Sequence, residues 1–377
     1  MSLQPNTKGT GTTNPFIFPT GTVKLLVTYE GEPLVGSVSA DALVLASPVW
    51  KKFLFPPWDI MFTSDIHGQQ KQINCTEDDG KALLVLLNII HLNFDKIPPT
   101  MDYATLLQVA VLVDQYDCIK IVRPWLEGWM KDEEIESVEE NQEGWLFIAW
   151  VFGREAIFSA LALLMVKSCQ FRKISACGTR PAETVLTMGG KPLTDPMPPE
   201  IIESIIRCRN QTLKLLLNIP STRLEKLENA MRWTAETLCS ADSNSQACDA
   251  AIYGSCIFAL AQQNIRMYPA PTAEHFDRYS VTSLGKLLAD VKLRYIQPVQ
   301  LSPPLPDGGQ AHGGLSSRAA APVINKDDHI RCAIGMSASV RDVLDAIQSP
   351  VLDSHRRHMQ IQRGEAVKMA SERDITS

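Results

Sequence analysis

The sequence has few of the patterns that mark membrane-spanning or secreted proteins. Of its 377 residues, 21% are charged and 45% are apolar, which is typical of a folded globular protein. Arg154 and Glu155 interrupt the most apolar stretch, residues 145–166, so it predicts a buried core helix rather than a membrane span. The first residues lack the charged-then-apolar pattern of a secretion signal.

Motifs of common catalytic sites are also missing. The chain has no His-Glu-x-x-His, no Gly-x-Ser-x-Gly and no Asp-x-Asp calcium loop. Residues 8–12 (KGTGT) lack the spacing and the preceding strand of a phosphate-binding loop, and residues 189–191 (GGK) precede a proline and predict a turn. We therefore expect no enzyme, and an active site in the C-terminal helical region is the alternative.

The chain has no excess of positive charge. Its net charge is −6 and its pI is about 5.7, so we expect binding neither to nucleic acid nor to anionic membranes. The short basic run at 355–358 is more simply a solvated helix face than a nucleic-acid-binding arm.

The nine cysteines are odd in number and scattered. Without a secretion signal, reduced thiols are the default, and we expect a cytoplasmic or nuclear protein.

The chain divides by composition into five parts. These are a disordered arm (1–20), a compact α+β domain (21–131), a helical C-terminal region (140–300), a Pro/Gly/Ser-rich flexible loop (301–328), and a C-terminal helix and tail (329–377).

The compact domain begins with a predicted β-hairpin. Residues 22–29 and 34–38 form its strands, and residues 30–32 form the turn. Two short helices follow, with Ser39 and Ser47 as N-caps and Pro48 at the first position of the second helix. A short third strand is predicted at 70–75, followed by helices at 78–91, 101–116 and 119–130.

This order of elements resembles the BTB/POZ domain, in the form found in fungal BTB-domain proteins. The segment VSADALVLASPVW and the later segment LLQVAVLVDQYDC carry the resemblance. It implies an α+β fold, in which a small sheet is flanked by a cluster of helices, followed by a mostly α-helical C-terminal region. The flexible loop that completes this fold class is predicted from composition.

The resemblance implies a non-enzymatic protein–protein interaction module that acts as a scaffold or adaptor. A substrate adaptor of a cullin ubiquitin ligase is a further alternative, although the usual hydrophobic-x-Glu contact motif is not evident at 93–100. The chain lacks the acidic residue beside the first strand and the long N-terminal helix of dimeric members, so pairing with a second copy stays open.

Candidate partner-binding residues lie on and after the two short helices. These apolar side chains would contribute to a protein interface: Leu43, Val49, Trp50, Phe53, Leu54 and Trp58.

A second candidate site is a structural zinc site formed by Cys239, Cys248, His329 and Cys332. The His-x-x-Cys spacing suits two ligands of one zinc ion, whereas Cys-x8-Cys is looser than the usual zinc-binding pair. The resemblance to fungal BTB-domain proteins implies that Cys and His residues stand at similar positions in those proteins. The alternative is that both cysteines of the first pair are small buried hydrophobic residues and that His329 caps a helix or faces solvent.

Overall fold

The structure is a computed structural model with a mixed α+β fold. It describes residues 14–56, 71–174, 183–234, 237–241, 245–267, 277, 279–295 and 329–365. The chain forms two compact units: unit 1 comprises 1–164, 193–204 and 350–377, and unit 2 comprises 165–192 and 205–349. Trp58 and the predicted flexible loop at 301–328 lie outside the described residues.

The described strands form two three-stranded sheets, with the order β2-β1-β3 in one and β4-β5-β6 in the other. The strands are β1 (Val23–Tyr29), β2 (Glu32–Val38), β3 (Gln72–Cys75), β4 (Gln170–Ile174), β5 (Glu183–Met188) and β6 (Lys191–Pro192).

The described α-helices, in chain order, are α1 (Ala40–Ala46), α2 (Pro48–Leu54), α3 (Gly80–Ile90), α4 (Tyr103–Gln115), α5 (Ile119–Val122), α6 (Leu126–Trp129), α7 (Glu133–Glu136), α8 (Trp145–Val151), α9 (Glu155–Ser168), α10 (Ile201–Asn229), α11 (Gln246–Gln262), α12 (Val281–Ala289), α13 (Ser337–Asp345) and α14 (Asp353–Arg363). None of the helices within the described ranges has both the length and the apolar character that a membrane crossing requires.

The predicted hairpin is confirmed. Strands β1 and β2 pair antiparallel from Val23–Val38 to Tyr29–Glu32. Glu30 and Gly31 have φ values of 51° and 84°, and positive φ at both central residues is typical of a two-residue turn that matches the strand twist. Strand β3 adds on the other side of β1, in parallel.

The prediction of a disordered arm over residues 1–20 is wrong for residues 14–18, which bond to β2 and contribute to the core. Phe16 and Phe18 are buried, and the Phe18 backbone N–H donates to the Ser37 carbonyl over 2.9 Å. Phe16 lies so close to β2 that a Cβ on Gly36 would come within 2.7 Å of it. These aromatic side chains are therefore part of the core, because the adjacent strand leaves room for them.

The two short helices begin where the sequence predicts. The Ser39 side chain accepts the Ala42 N–H over 3.4 Å, and the Ser47 side chain accepts the Trp50 N–H over 3.0 Å. Ser47 is buried, and its hydroxyl also donates to the Tyr116 carbonyl. One side chain thus caps α2 and joins it to the end of α4.

Large apolar side chains form the interior of unit 1. Every residue of α8 is buried, including Trp145 and Trp150. The predicted single helix over 145–166 is instead two helices, because Gly153 adopts a left-handed conformation (φ 73°) and ends α8. The predicted helix at 119–130 is likewise divided by a 3₁₀ turn at Arg123–Trp125, which contains Pro124.

Unit 2 contains a sheet within the region predicted to be mostly helical. Strands β4 and β5 pair antiparallel, and Gly189 and Gly190, with φ values of 55° and 83°, form the predicted turn to β6. The guanidinium of Arg209 on α10 is fully buried and donates to the carbonyls of Cys169 (2.9 Å) and Tyr279 (2.6 Å).

Candidate metal centre

Of the four predicted zinc ligands, one lies at the start of α11 and one lies in a short segment before it. Cys248 is in the first turn of this helix, and Cys239 is in the segment 237–241. The Thr237 hydroxyl accepts the Cys239 N–H over 3.0 Å, and the Asp249 carboxylate accepts the Leu238 N–H over 2.8 Å. These two bonds fix the backbone on either side of Leu238 and so position the Cys239 side chain.

The other two groups lie on one 3₁₀ helix, His329–Ala333. His329 and Cys332 are three positions apart, which places both side chains on the same side of a 3₁₀ helix, because this helix has three residues per turn. The Arg223 guanidinium of α10 donates to the Cys332 carbonyl over 3.0 Å and also to the Ile334 carbonyl. The chain after this 3₁₀ helix is therefore attached to α10.

The four side chains converge on one point. One ligand atom from each of Cys239, Cys248, His329 and Cys332 lies within 4.8 Å of the other three. The Cys239 and Cys332 sulfurs are 3.8 Å apart, and the Cys239 sulfur is 3.2 Å from Nδ1 of His329. With zinc–sulfur bonds of about 2.3 Å, two sulfurs of a tetrahedral site are about 3.8 Å apart. The cluster could hold a metal ion if the ligand atoms that are up to 4.8 Å apart moved slightly closer together.

Burial differs among the ligands. Cys239, Cys248 and His329 are buried, whereas Cys332 is partly exposed. Four protein ligands complete a tetrahedral zinc site and leave no open position for a substrate or a water molecule. The residue set therefore fits a structural metal ion better than a catalytic one.

The protonation of the thiols is uneven. Burial, followed by hydrogen bonds with Cys332 and Cys239, raises the pKa of the Cys248 thiol to about 12. Burial also acts to raise the pKa of Cys332, but hydrogen bonds from Ser240 and from the neighbouring thiols outweigh it and lower that pKa to about 7. The Ser240 N–H lies 3.3 Å from the Cys332 sulfur. Of these two thiols, Cys332 therefore loses its proton more readily than Cys248.

Asp249 is a buried neighbour of Cys248 in sequence, and only 2% of its surface is exposed. One carboxylate oxygen accepts the Leu238 N–H, and the other has no hydrogen-bond partner among the described residues. Asp249 therefore supports the Cys239 segment. The sequence alone gave no signal for this role, nor for those of Ser240 and Arg223, because none of them has a metal-ligand spacing.

The predicted partner-binding residues do not form one exposed surface. Leu43, Trp50 and Leu54 are each 1–2% exposed, so in the single chain they are core residues. The Trp50 ring packs on Tyr116 with ring centroids 4.6 Å apart. Phe53 is 60% exposed, Val49 is partly exposed, and Trp58 lies outside the described residues. The amphipathic pattern of α2 explains the difference, because residues 50 and 54 share the buried face of the helix and Phe53 lies to one side of it.

Unit 2 also contains an open groove of about 840 Å³ along α11. Its lining combines small and apolar side chains with three charged ones from the end of α12 and beyond: Ala251, Gly254, Phe258, Asp290, Lys292 and Arg294. The lining holds no histidine or cysteine, and only one acidic side chain. An acid–base pair of carboxylates is therefore not present among the residues that line it.

In comparisons with known proteins, no protein-family model and no curated protein matches the chain.

Proposed function

We propose that this chain is a non-enzymatic interaction protein of BTB/POZ type that acts as a scaffold or adaptor, and that its second unit is stabilised by one structural zinc ion. The support for the interaction role is the pair of short helices α1 and α2. Three large apolar side chains of this helix pair are exposed, although other large apolar side chains of unit 1 are buried: Leu45 (88%), Phe53 (60%) and Phe55 (54%). Exposed apolar side chains that are grouped on one element are typical of protein-binding surfaces.

The order of elements supports the same assignment. A hairpin, two capped short helices, a parallel third strand and the buried helices α3 and α4 follow in the order that the resemblance implies. Phe53 lies three residues after the segment VSADALVLASPVW, and its ring is 60% exposed and therefore available to a partner.

The support for zinc is the closed set of four ligands. Three cysteines and one histidine are a common ligand set of structural zinc, and thiolates favour zinc over magnesium or calcium. The ion would join residues about ninety positions apart in sequence, namely Cys239 and Cys248 with His329 and Cys332. Its contribution to folding would be on the order of 10 kcal/mol.

The enzyme alternative has weaker support. The metal cluster has no free coordination position, and the groove along α11 lacks a pair of acid–base groups among its lining residues. No observation on the described residues favours the cullin-adaptor role over other interaction roles.

The test of the interaction role compares Phe53→Ser with Ile135→Ser. Both replace an exposed apolar side chain of unit 1. Ile135 is 68% exposed and lies on α7, outside the helix pair α1–α2. We expect the wild-type chain to self-associate or to retain a protein partner at micromolar concentration, and Phe53→Ser alone to lose this association. Light-scattering mass and affinity capture measure it. A wild-type chain that is monomeric and captures no partner, or a Phe53→Ser variant that behaves as wild type, would contradict the proposal.

A further inference from the structure

In the metal centre, the partly exposed sulfur of Cys332 lies next to the buried sulfur of Cys239. Cys332 is the one ligand of the four with a partly exposed side chain, and its sulfur contacts Ser240, which is itself exposed. The Cys239 sulfur lies behind it at 3.8 Å and is buried. An oxidant from solvent therefore reaches Cys332 first and finds a second thiol next to it.

We propose that Cys332 and Cys239 form a peroxide-reactive pair whose oxidation to a disulfide releases the zinc ion. This inference rests on the zinc part of the proposed function. The co-reactant is a hydroperoxide, and hydrogen peroxide is the simplest member of that class.

The reaction balances in two steps. The Cys332 thiolate attacks one peroxide oxygen, so that a sulfur–oxygen bond forms, the oxygen–oxygen bond breaks, and the second oxygen leaves as water or an alcohol after taking a proton. The Cys239 thiolate then attacks the sulfenic sulfur of Cys332. A disulfide forms, the sulfur–oxygen bond breaks, and this oxygen leaves as water with a proton from solvent. The two thiolates lose two electrons and the peroxide gains them.

The geometry favours this pair over the other described cysteines. A disulfide has a sulfur–sulfur distance of about 2.05 Å, so the two sulfurs must approach by under 2 Å. The His329–Ala333 turn carries Cys332 near the surface. The remaining described cysteines outside the cluster are all buried: Cys75, Cys118, Cys169, Cys208 and Cys256.

Zinc release follows from the loss of ligands. A disulfide sulfur is a far weaker ligand than a thiolate, so zinc would keep only Cys248 and His329. Segment 237–241 and the 3₁₀ helix would then be joined by a covalent bond instead of by the metal ion. Reduction of the disulfide would restore the ligand set.

The experiment uses the full zinc-loaded chain, hydrogen peroxide, and a coloured zinc chelator that records release. Peptide mass mapping identifies the disulfide. Cys332→His keeps four zinc ligands but removes the exposed thiol, whereas the control Cys256→Ala removes a buried thiol that is not a ligand. Metal content before the addition of peroxide shows that each variant has loaded zinc.

We expect wild type and Cys256→Ala to release one zinc per chain and to gain a Cys239–Cys332 disulfide. Release from Cys332→His should be slower by at least about tenfold, because the two thiols that remain in the cluster, Cys239 and Cys248, are buried. Zinc that stays bound in oxidised wild type, or a disulfide between other cysteines, would overturn the inference and leave the structural zinc intact. A purified wild-type chain without zinc would instead refute the metal part of the proposed function. The wild-type disulfide map decides the question even if a variant fails to fold.

Discussion

Both units bury apolar side chains and join distant segments through polar groups, but unit 2 also brings three cysteines and a histidine together where such segments meet. In unit 1, Trp50 and Trp145 are each 1% exposed and fill interior space. In unit 2, the Arg209 guanidinium connects backbone carbonyls of separate segments, and the Cys₃His cluster joins α11 to the 3₁₀ helix at 329–333. The loss of a core side chain leaves a cavity, but the loss of a ligand removes a connection between segments. The two units should therefore respond differently to the same kind of substitution.

The largest expected effect is that of removing a metal ligand. Cys248→Ala should abolish zinc binding and cost on the order of 10 kcal/mol of metal-linked stability in unit 2. Hydrogen exchange should show lost protection at 329–345 and retained protection at 80–115, because α3 and α4 belong to unit 1. Cys256→Ala is the matched control, since Cys256 is equally buried on α11 but is not a ligand. Equal exchange in the two variants would contradict the role of the metal.

The second-largest effect is expected from the loss of a core side chain in unit 1. Trp50→Ala should reduce the free energy of unfolding by about 3–5 kcal/mol, because a large buried ring is lost and the interior closes only in part. Phe53→Ala, on the exposed face of the same helix, should change it by less than about 0.5 kcal/mol. Denaturant unfolding measures both, and zinc content should stay unchanged. Similar effects from the two variants would show that Trp50 is not a core residue.

Zinc affinity should fall as the pH falls. Without metal the Cys248 thiol is protonated at neutral pH, because its pKa is raised to about 12, and zinc binding must displace this proton. Between about pH 9 and pH 7, the need to displace this one proton should therefore lower the zinc affinity about tenfold, or about 1.4 kcal/mol, for each pH unit. Below about pH 7 the fall should steepen, since Cys332, with a pKa of about 7, takes up a proton as well.

Competition titration with a chelator whose own pH dependence is known measures this slope. An affinity that is constant between pH 9 and pH 7 would mean that zinc does not displace the Cys248 proton.

The smallest expected effect distinguishes the two helix caps of unit 1. Ser47→Ala should cost about 1–2 kcal/mol, because it removes the cap of α2 and the bond to the buried Tyr116 carbonyl. Ser39→Ala should cost less, at about 0.5 kcal/mol, because its bond to Ala42 is long at 3.4 Å and its side chain is less buried. Thermal unfolding of both variants ranks them, and the reverse order would contradict the buried role of Ser47.

Local signals in the sequence predicted the first elements of unit 1 well. The hairpin, the two capped helices and α3 and α4 depend on turn residues, caps and periodicity, which are properties of neighbouring residues. The burial of Phe16 could not be predicted in this way, because it depends on the space beside Gly36 on another strand. The identification of the BTB/POZ domain itself stays a prediction.

The metal cluster was predictable only in part. The spacing of His329 and Cys332 is a local signal, whereas the approach of Cys239 to Cys332 depends on how a chain of about ninety residues folds back. The positioning roles of Asp249 and Arg223 had no signal, because a carboxylate or guanidinium that binds backbone groups resembles any surface charge in sequence. The sheet β4–β6 was missed because its strands are short and follow a strongly helical segment.

X-ray absorption at the zinc edge of the purified full chain tests the closed metal centre most directly. We predict three sulfur ligands at about 2.3 Å and one nitrogen ligand at about 2.0–2.1 Å around one zinc ion. A chain that contains no zinc, or zinc surrounded by oxygen and nitrogen atoms without sulfur, would contradict the structural role of Cys239, Cys248, His329 and Cys332.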